Sequence, residues 1–242
     1  MPPAAGPRRT KTDRTRPSDG SSSVDGMADP QVAIARLPAG SAAALASLHG
    51  LTVSLTGVVR VLVVRGEGAD FFSGEAVGQD SGRTETPAEF EQSILRNLRR
   101  NDLISVAVLH GRATDVGLAL ALACDQRIVT DDAQLAFVAD TGHRWLDVQA
   151  LGSLRQLVGP APALDLALTG RTFGGGEALE LGLANRCVSL GDLDASVDTW
   201  VAQLLAMPHA AATEVKAVLS ASGQSRWADE LAAGLELAAT ET

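Results

Sequence analysis

The sequence predicts an α/β fold that is followed by a helical C-terminal region. Short β-branched apolar segments alternate with helical patterns up to about residue 146, and the later segments are mostly helical. Hydrophobic residues make up 45% of the 242 residues and aromatic residues only 3%, so the core must consist mainly of alanine, leucine and valine. This globular composition excludes a wholly disordered chain.

Charge and cysteine content narrow the function classes. The net charge of -9 argues against nucleic acid as the main partner. Two cysteines cannot build a disulfide framework, which favours a reducing, cytoplasmic location. No apolar run reaches the roughly 18 residues of a membrane-spanning helix, so we expect no membrane association.

Three regions are expected along the chain. Residues 1–30 are rich in proline, glycine, serine and charge, which predicts a disordered tail. The alternative is that Met27 is the true first residue of the protein and that the preceding segment is not part of it. Residues 31–190 are expected to form the α/β core, and residues 191–242 the helical C-terminal region.

The first elements of the core are expected in this order: strand Val32–Arg36, helix Ser41–Leu55, strand Val58–Arg65 and helix Pro87–Asn101. The first helix should be interrupted near His49 and Gly50, because glycine weakens a helix interior. The second strand is apolar and β-branched, which is typical of a buried strand. In the second helix, proline suits the first turn, and Phe90, Ile94 and Leu98 recur every four residues.

The next elements are expected in this order: strand Ile104–Leu109, a turn at His110–Asp115, a helix over 117–124, and strands Gln126–Thr130 and Gln134–Val138. The helix is apolar on every side and should be buried, which would leave Cys124 inert. Later helices are expected at Val148–Val158, Ala161–Thr169, Gly176–Leu181, Ala195–Ala206, Ala210–Ser222 and Trp227–Ala239.

Two buried strands end in segments with related chemistry. The first leads to a glycine-rich loop with Ser73, Gly74 and Glu75 at its tip, and the other leads to a helix that begins near Val116 and Gly117. A helix start has backbone N–H groups without partners, and its dipole favours negative charge. One N–H from each segment would together stabilise the oxyanion of an enolate or tetrahedral centre. The alternative is that both segments are ordinary glycine-containing turns with no role in binding.

Three segments together carry a family resemblance: VRVLVVRGEGADFFSGEA, ISVAVLHGRATDVGLALALACDQRIVTDDAQLAF and LVGPAPALDLALTGRTFGGGEALELGLANRCV. Through them the chain resembles the enoyl-CoA hydratase/isomerase (crotonase) superfamily. The resemblance covers about residues 31–240 and is weakest before Val58. It implies a crotonase-like spiral of ββα units with a helical C-terminal trimerisation region.

The resemblance also implies a function. Family members act on acyl-CoA thioesters through an enolate held by two backbone N–H groups, which fall here at Glu75 and Val116. Coenzyme A enters as part of the substrate, and no separate cofactor is implied. A homotrimer or hexamer acting in fatty acid metabolism is the expected setting.

This chain departs from the family pattern where acid–base chemistry is needed. The two usual catalytic glutamates fall at Ala119 and Ala139, and alanine can neither accept nor donate a proton. Asp115 and Val116 replace glycines. A carboxylate at the helix start opposes an incoming enolate, and a β-branched side chain crowds the approach of a thioester.

Other side chains are candidates for proton transfer. Asp147 aligns with an aspartate that takes part in catalysis in some family members, and Asp140 lies one residue past the second glutamate position. Their alternatives are a helix N-cap for Asp147 and a solvated loop for Asp140. His143 lies between them and titrates near neutrality, but it is also a candidate for a hydrogen-bonded loop residue. His110 is expected to brace the turn that contains it.

Two functions therefore stay open. The first is an enzyme, a hydratase or isomerase that runs through a thioester enolate. The second is a catalytically inactive accessory or regulatory subunit that binds acyl-CoA or an active paralogue. A metal site is not expected, because the sequence contains neither a CxxC nor an HxxxH pair. The sequence has no G-x-S-x-G, which argues against a serine hydrolase, and GEGADF does not match the G-x-G-x-x-G of dinucleotide binding.

Overall fold

A computed structural model describes residues 29–38, 42–73, 87–137 and 148–220 of the chain. The strands are β1 (Val32–Pro38), β2 (Val61–Glu67), β3 (Ile104–Leu109), β4 (Arg112–Thr114), β5 (Gln126–Thr130), β6 (Gln134–Ala136), β7 (Phe173–Gly174) and β8 (Arg186–Val188). The helices are α1 (Ala42–Ser54), α2 (Pro87–Leu98), α3 (Val116–Ala123), α4 (Val148–Val158), α5 (Pro160–Thr169), α6 (Gly175–Glu180), α7 (Leu193–Ala206) and α8 (209–220).

The larger sheet is parallel and buried on both faces. Its strands lie in the order β1-β2-β3-β5-β8. Along β2, Val61 and Val63 face α7, where they belong to a cluster that includes Trp200. The alternate residues Leu62 and Val64 belong to the main core, which also holds buried side chains of α1, α2 and α3. Burial on both faces is why these strands are continuous apolar runs rather than alternating ones.

A smaller sheet gives the fold its repeating unit. β4 pairs with β6 in parallel, and β6 pairs with β7 in antiparallel. Successive segments therefore place one strand in the larger sheet, one in the smaller sheet, and then a helix, as in β3–β4–α3 and β5–β6–α4. This arrangement confirms the predicted α/β fold with its ββα units.

The expected interruption of the first helix is wrong. α1 is continuous through His49 and Gly50. Its inner face buries Leu45, Leu48 and Thr52, each at 1% exposure or less. Burial of that face outweighs the roughly 1 kcal/mol that a helical glycine costs relative to alanine.

Several short strands were not expected. β4 lies inside the segment predicted as a turn, and β7 and β8 lie in the region predicted to be mostly helical. Each has only two or three residues, so it carries too little periodicity to be recognised, and its pairing partner is distant in sequence. The second strand begins at Val61 rather than at Val58, a residue that is 57% exposed.

The last described helix is held to the core by one lysine. Lys216 of α8 donates hydrogen bonds to the carbonyl oxygens of Arg100 and Leu103, both at 2.6 Å, and forms an ion pair with Asp125 at 2.7 Å. The expected tail lies outside the described residues except for Asp29 and Pro30, and so does the expected helix Trp227–Ala239.

Candidate functional site

The loop after β2 runs beside β4, the strand that leads into α3. Phe72 forms a parallel bridge with Ala113. The Phe72 N–H donates to the Arg112 carbonyl at 3.2 Å, and the Thr114 N–H donates to the Phe72 carbonyl at 3.2 Å. These bonds fix the loop against the strand that ends at the start of α3.

An ion pair holds the same loop from its outer side. The Asp70 carboxylate accepts hydrogen bonds from the Arg112 backbone N–H at 2.9 Å and from the Arg112 guanidinium at 2.8 and 3.1 Å. It also accepts a bond from the Ser73 hydroxyl at 3.2 Å. The Arg112 guanidinium, chiefly through its hydrogen bonds, lowers the pKa of Asp70 below its ordinary value of 3.8. A charged Asp70 therefore orders the chain up to Ser73.

His110 braces the turn between β3 and β4. The residue is 8% exposed, and its Nε2 donates to the carbonyl oxygen of Gly68 at 3.1 Å. Gly111 follows with a φ of +56°, and a Cβ at that position would lie 1.9 Å from the Ala69 carbonyl oxygen. The turn therefore requires glycine, and His110 has the bracing contact that the sequence predicts.

The start of α3 has an unusual backbone. Asp115 is its N-cap residue, with φ 47° and ψ -110°, a conformation that glycine adopts far more readily. The Asp115 side chain makes no capping hydrogen bond to the helix, while the Asp115 carbonyl accepts the N–H of Ala119 at 2.9 Å. The N–H of Val116 has no hydrogen-bond acceptor among the described residues, as expected at a helix start.

A small apolar cleft opens at this helix start. Its walls come from three helices: α1 provides Leu45, α2 provides Glu91, Ile94 and Leu95, and α3 provides Val116, Ala119 and Leu120.

The structure brings together two of the positions that the sequence singles out. Val116, the predicted N–H donor, and Ala119, a predicted catalytic-glutamate position, line the same cleft. The other predicted positions lie outside the described residues: Glu75, Ala139, Asp140, His143 and Asp147.

Glu91 also lines the cleft, although it was not predicted from the sequence. A signal was present, because Glu91 stands three and four residues before Ile94 and Leu95 and so shares a face of α2 with them. A carboxylate at that spacing interrupts an aliphatic helix face.

Cys124 has no part in this site. It follows the last residue of α3, is 4% exposed, and burial raises the pKa of its thiol to about 12. The thiol therefore stays protonated near neutral pH, as its predicted inertness requires. Within the described residues, no three potential ligands among histidine, cysteine, aspartate and glutamate gather into a metal-binding group. No helix in these ranges is both long and apolar enough to cross a membrane.

A parallel sheet between helical layers, with a helix start that opens on an apolar cleft, defines an α/β protein of the crotonase fold. The family model described as enoyl-CoA hydratase/isomerase matches residues 48–240. The chain belongs to the enoyl-CoA hydratase/isomerase family.

Relatives include proteins named as hydratases and as isomerases. The probable enoyl-CoA hydratase echA6 of Mycobacterium leprae is 30% identical over 167 residues, which cover 68% of this chain and 64% of the relative. A peroxisomal Δ3,5-Δ2,4-dienoyl-CoA isomerase of Arabidopsis thaliana is 31% identical over 185 residues, covering 66% of this chain and 64% of the isomerase. The chain thus spans slightly less than two thirds of the length of these curated relatives.

The chain covers a larger share of the matching solved structures than of these curated relatives. A candidate enoyl-CoA hydratase of Thermobifida fusca YX, in complex with CoA, has a TM-score of 0.70 and 34% identity, covering 88% of this chain and 93% of that one. A monofunctional enoyl-CoA isomerase of M. smegmatis has a TM-score of 0.71 and 25% identity, covering 82% of this chain and 92% of that one.

Proposed function

We propose that this chain binds an acyl-CoA thioester with its acyl group in the cleft, and that it stabilises the thioester enolate with the N–H groups of Val116 and Glu75. The observation that carries the proposal is the Val116 N–H, which stands at the start of α3 on the wall of an apolar cleft. A helix-start N–H beside a site of low polarity favours an anionic oxygen.

The strand register supports a second donor at Glu75. Phe72 and Ala113 are bridged in parallel, and Glu75 and Val116 each follow three residues later in their own segment. The start of α3 lies close to the same bridge, because the Gly117 backbone packs against the Phe72 carbonyl.

Comparison structures support the ligand class. The Thermobifida fusca protein was solved with CoA and, in another crystal, with acetoacetyl-CoA. We extend to this chain the binding of a CoA thioester, with CoA as part of the substrate. A homotrimer or hexamer, a cytoplasmic location and a place in fatty acid metabolism belong to the same proposal.

Proton transfer needs a group other than residue 119. Ala119 lines the cleft and carries no ionisable atom. From the sequence, Asp147 and Asp140 are the candidates that we propose for this role. Either carboxylate would exchange a proton with the acyl group once the thioester carbonyl is polarised.

A second candidate function is a catalytically inactive member that binds acyl-CoA or an active paralogue. The favouring observations are Ala119 on the cleft wall and the Asp115 carboxylate beside the proposed donor, where it opposes developing negative charge.

A ligand pair tests the proposed carbonyl contact. Calorimetric titration should show that butyryl-CoA binds about tenfold tighter than S-butyl-CoA, a thioether that lacks the carbonyl oxygen. Two hydrogen bonds of about 0.7 kcal/mol each correspond to that ratio. Equal affinities would contradict the oxyanion site, and no binding of either ligand would contradict the proposed function as a whole.

A turnover assay separates the two candidate functions. Loss of the conjugated enoyl-thioester absorbance of crotonyl-CoA would establish a hydratase. Binding without turnover of this substrate or of a 3-enoyl isomer would favour the inactive member. Where turnover occurs, Asp147→Ala should abolish it, and a fully active variant would remove Asp147 from the mechanism.

A further inference from the structure

The last described helix, α8, has its apolar side turned away from the core. On α7, the neighbouring helix, the apolar residues Trp200 and Val201 are buried against the core. On α8 the valines are exposed instead, Val215 at 49% and Val218 at 65%. Together with the exposed Ala211 they have the spacing i, i+4, i+7, which places all three on one side of the helix. We call these three residues the outer stripe of α8.

The side of α8 that faces the core is small and polar. Within residues 209–220 the buried residue is Ala212. Lys216, whose side chain is 10% exposed, donates hydrogen bonds to two carbonyl oxygens of the α2–β3 connection and pairs with Asp125. These three contacts fix the rotation of α8 about its own axis. The valines therefore stay on the outside while Lys216 is in place, and an exposed apolar stripe of this kind is typical of an interaction surface.

The chain that continues from α8 has the length to cover this stripe. Helix α8 extends to residue 220, and residues 221–242 follow it in the sequence. The six residues 221–226 include Gly223, a residue type that commonly ends a helix, and four polar residues. A connection of this length lies within the roughly two to eight residues that usually join antiparallel helices. A helix that begins at Trp227 is therefore expected to return along α8.

The pattern of that segment matches the outer stripe. Trp227, Leu231 and Leu235 recur every four residues and so share one face of the helix predicted over 227–239. Asp229 and Glu236 fall on the opposite face. At 1.5 Å per residue this helix would be about 20 Å long, and α8 is about 18 Å long. The two helices can therefore pack along their whole length.

The register also pairs apolar residues with apolar residues. In an antiparallel pair, residues at equal distances from the turn lie opposite each other, because both helices have the same rise per residue. Val215 and Leu231 are each eight residues from Gly223, and Ala211 and Leu235 are each twelve residues from it. A return at Gly223 thus brings the apolar face of the segment onto the outer stripe.

We infer that the outer stripe of α8 is the docking surface for residues 227–239 of the same chain, which pack on it as an antiparallel helix. Leu231 lies against Val215, and Leu235 lies against Ala211. Helix α8 is then held on one side by Lys216 and covered on the other by the C-terminal segment. The inference goes beyond the proposed function, because the outer stripe is separate from the cleft that is proposed to hold the acyl group.

Hydrogen exchange of the full chain, followed by mass spectrometry, tests whether this segment is packed. An isolated helix as short as 227–239 is marginal in water, so protection of its amides reports packing. In the wild type these amides should exchange at least about tenfold more slowly than those of a free peptide of the same sequence. Val218→Asp places a carboxylate in the outer stripe, so this protection should be lost while the amides of α7 stay protected.

The matched control is Val53→Asp. Val53 is 63% exposed and lies near the end of α1, as Val218 lies near the end of the described part of α8. This variant carries the same change at a similar exposure on another helix, so residues 227–239 should keep the protection of the wild type.

Three outcomes of the exchange experiment would overturn the inference. The first is a wild-type segment that exchanges as fast as the free peptide, and the second is protection that survives Val218→Asp. The third is an equal loss of protection in Val53→Asp, which would show that the effect does not come from the outer stripe.

A cysteine pair identifies which chain covers the stripe. Val215→Cys and Leu231→Cys are combined with Cys187→Ser, which leaves the buried Cys124 as the remaining native thiol. Mild oxidation should link the two new cysteines within one chain, so the product should keep the mass of a monomer on a non-reducing gel. Val53→Cys with Leu231→Cys in the same background should form no link within a chain. A disulfide between two chains would show that a second copy covers the stripe and would overturn the inference, as would failure of the first pair to form any link.

Discussion

The backbone of Gly117 packs directly against the carbonyl oxygen of Phe72. A Cβ on Gly117 would lie 2.1 Å from that oxygen, well inside the van der Waals limit. This contact joins the start of α3 to Phe72 in the loop that follows β2, so these two positions keep a fixed distance from each other. Only glycine permits so close an approach.

Gly117→Ala should lower the free energy of unfolding by about 1–3 kcal/mol, because the clashing atom belongs to the backbone and cannot rotate away. Urea unfolding would measure the loss. Gly176→Ala is the matched control, since a Cβ at that helical position meets no atom within 4 Å. The control should be neutral or slightly stabilising. Equal stability of Gly117→Ala and the wild type would contradict the close contact.

Asp115→Gly should raise the free energy of unfolding by about 1 kcal/mol. A residue with a Cβ atom at φ 47° and ψ -110° is strained by about 1–3 kcal/mol. Glycine relieves this strain, but its greater conformational freedom in the unfolded chain offsets part of the gain in stability. Asp115→Ala keeps the β-carbon and removes the carboxylate, so this variant should not share the gain. An alanine variant that is as stable as the glycine variant would assign the effect to charge instead of backbone strain.

Asp70 should make stability depend on acid pH. Its pKa is lowered in the folded protein, chiefly by hydrogen bonds from Arg112, so its contribution is present above the unfolded-state value of about 3.9. That contribution is lost as the pH falls through the lower folded-state pKa. Asp70→Asn should therefore be less stable than the wild type at pH 7, and the two should converge as the pH falls below the folded-state pKa of Asp70.

Denaturant unfolding between pH 2 and pH 7 would measure this convergence. Asp132→Asn removes the same charge from an exposed turn and serves as the control. A stability difference between Asp70→Asn and the wild type that stays constant across this range would show that the Asp70 charge does not stabilise the fold.

The two cysteines should react differently with a thiol reagent. Cys124 is buried, and burial raises the pKa of its thiol to about 12, whereas Cys187 is only partly buried. At pH 8, a chromogenic disulfide reagent should therefore label Cys187 in the native protein, and both thiols in urea. Rapid native labelling of two thiols would contradict the burial of Cys124; a Cys187→Ser variant identifies the reacting residue.

Local pattern was sufficient for most elements of the fold. Val148–Val158 begins and ends where its pattern predicts, and Ile104–Leu109 is a buried strand as expected. The prediction was wrong where packing overrides local preference, as at Gly50 inside α1, and incomplete where a strand is too short to show a period, as in β4. The candidate site follows the same division. Val116 was predicted from its place at a helix start, whereas the spacing of Glu91 showed which helix face it shares but not what that face packs against.

The sequence by itself determined the alternation of strands and helices, the helix start at Val116 and the alanine at residue 119, because these depend on neighbours along the chain. Only the tertiary structure decided that Glu91 of α2 and Val116 of α3 share one cleft. Which faces of two helices meet depends on how their side chains pack across the core, and residues 25 positions apart carry no local signal of that meeting.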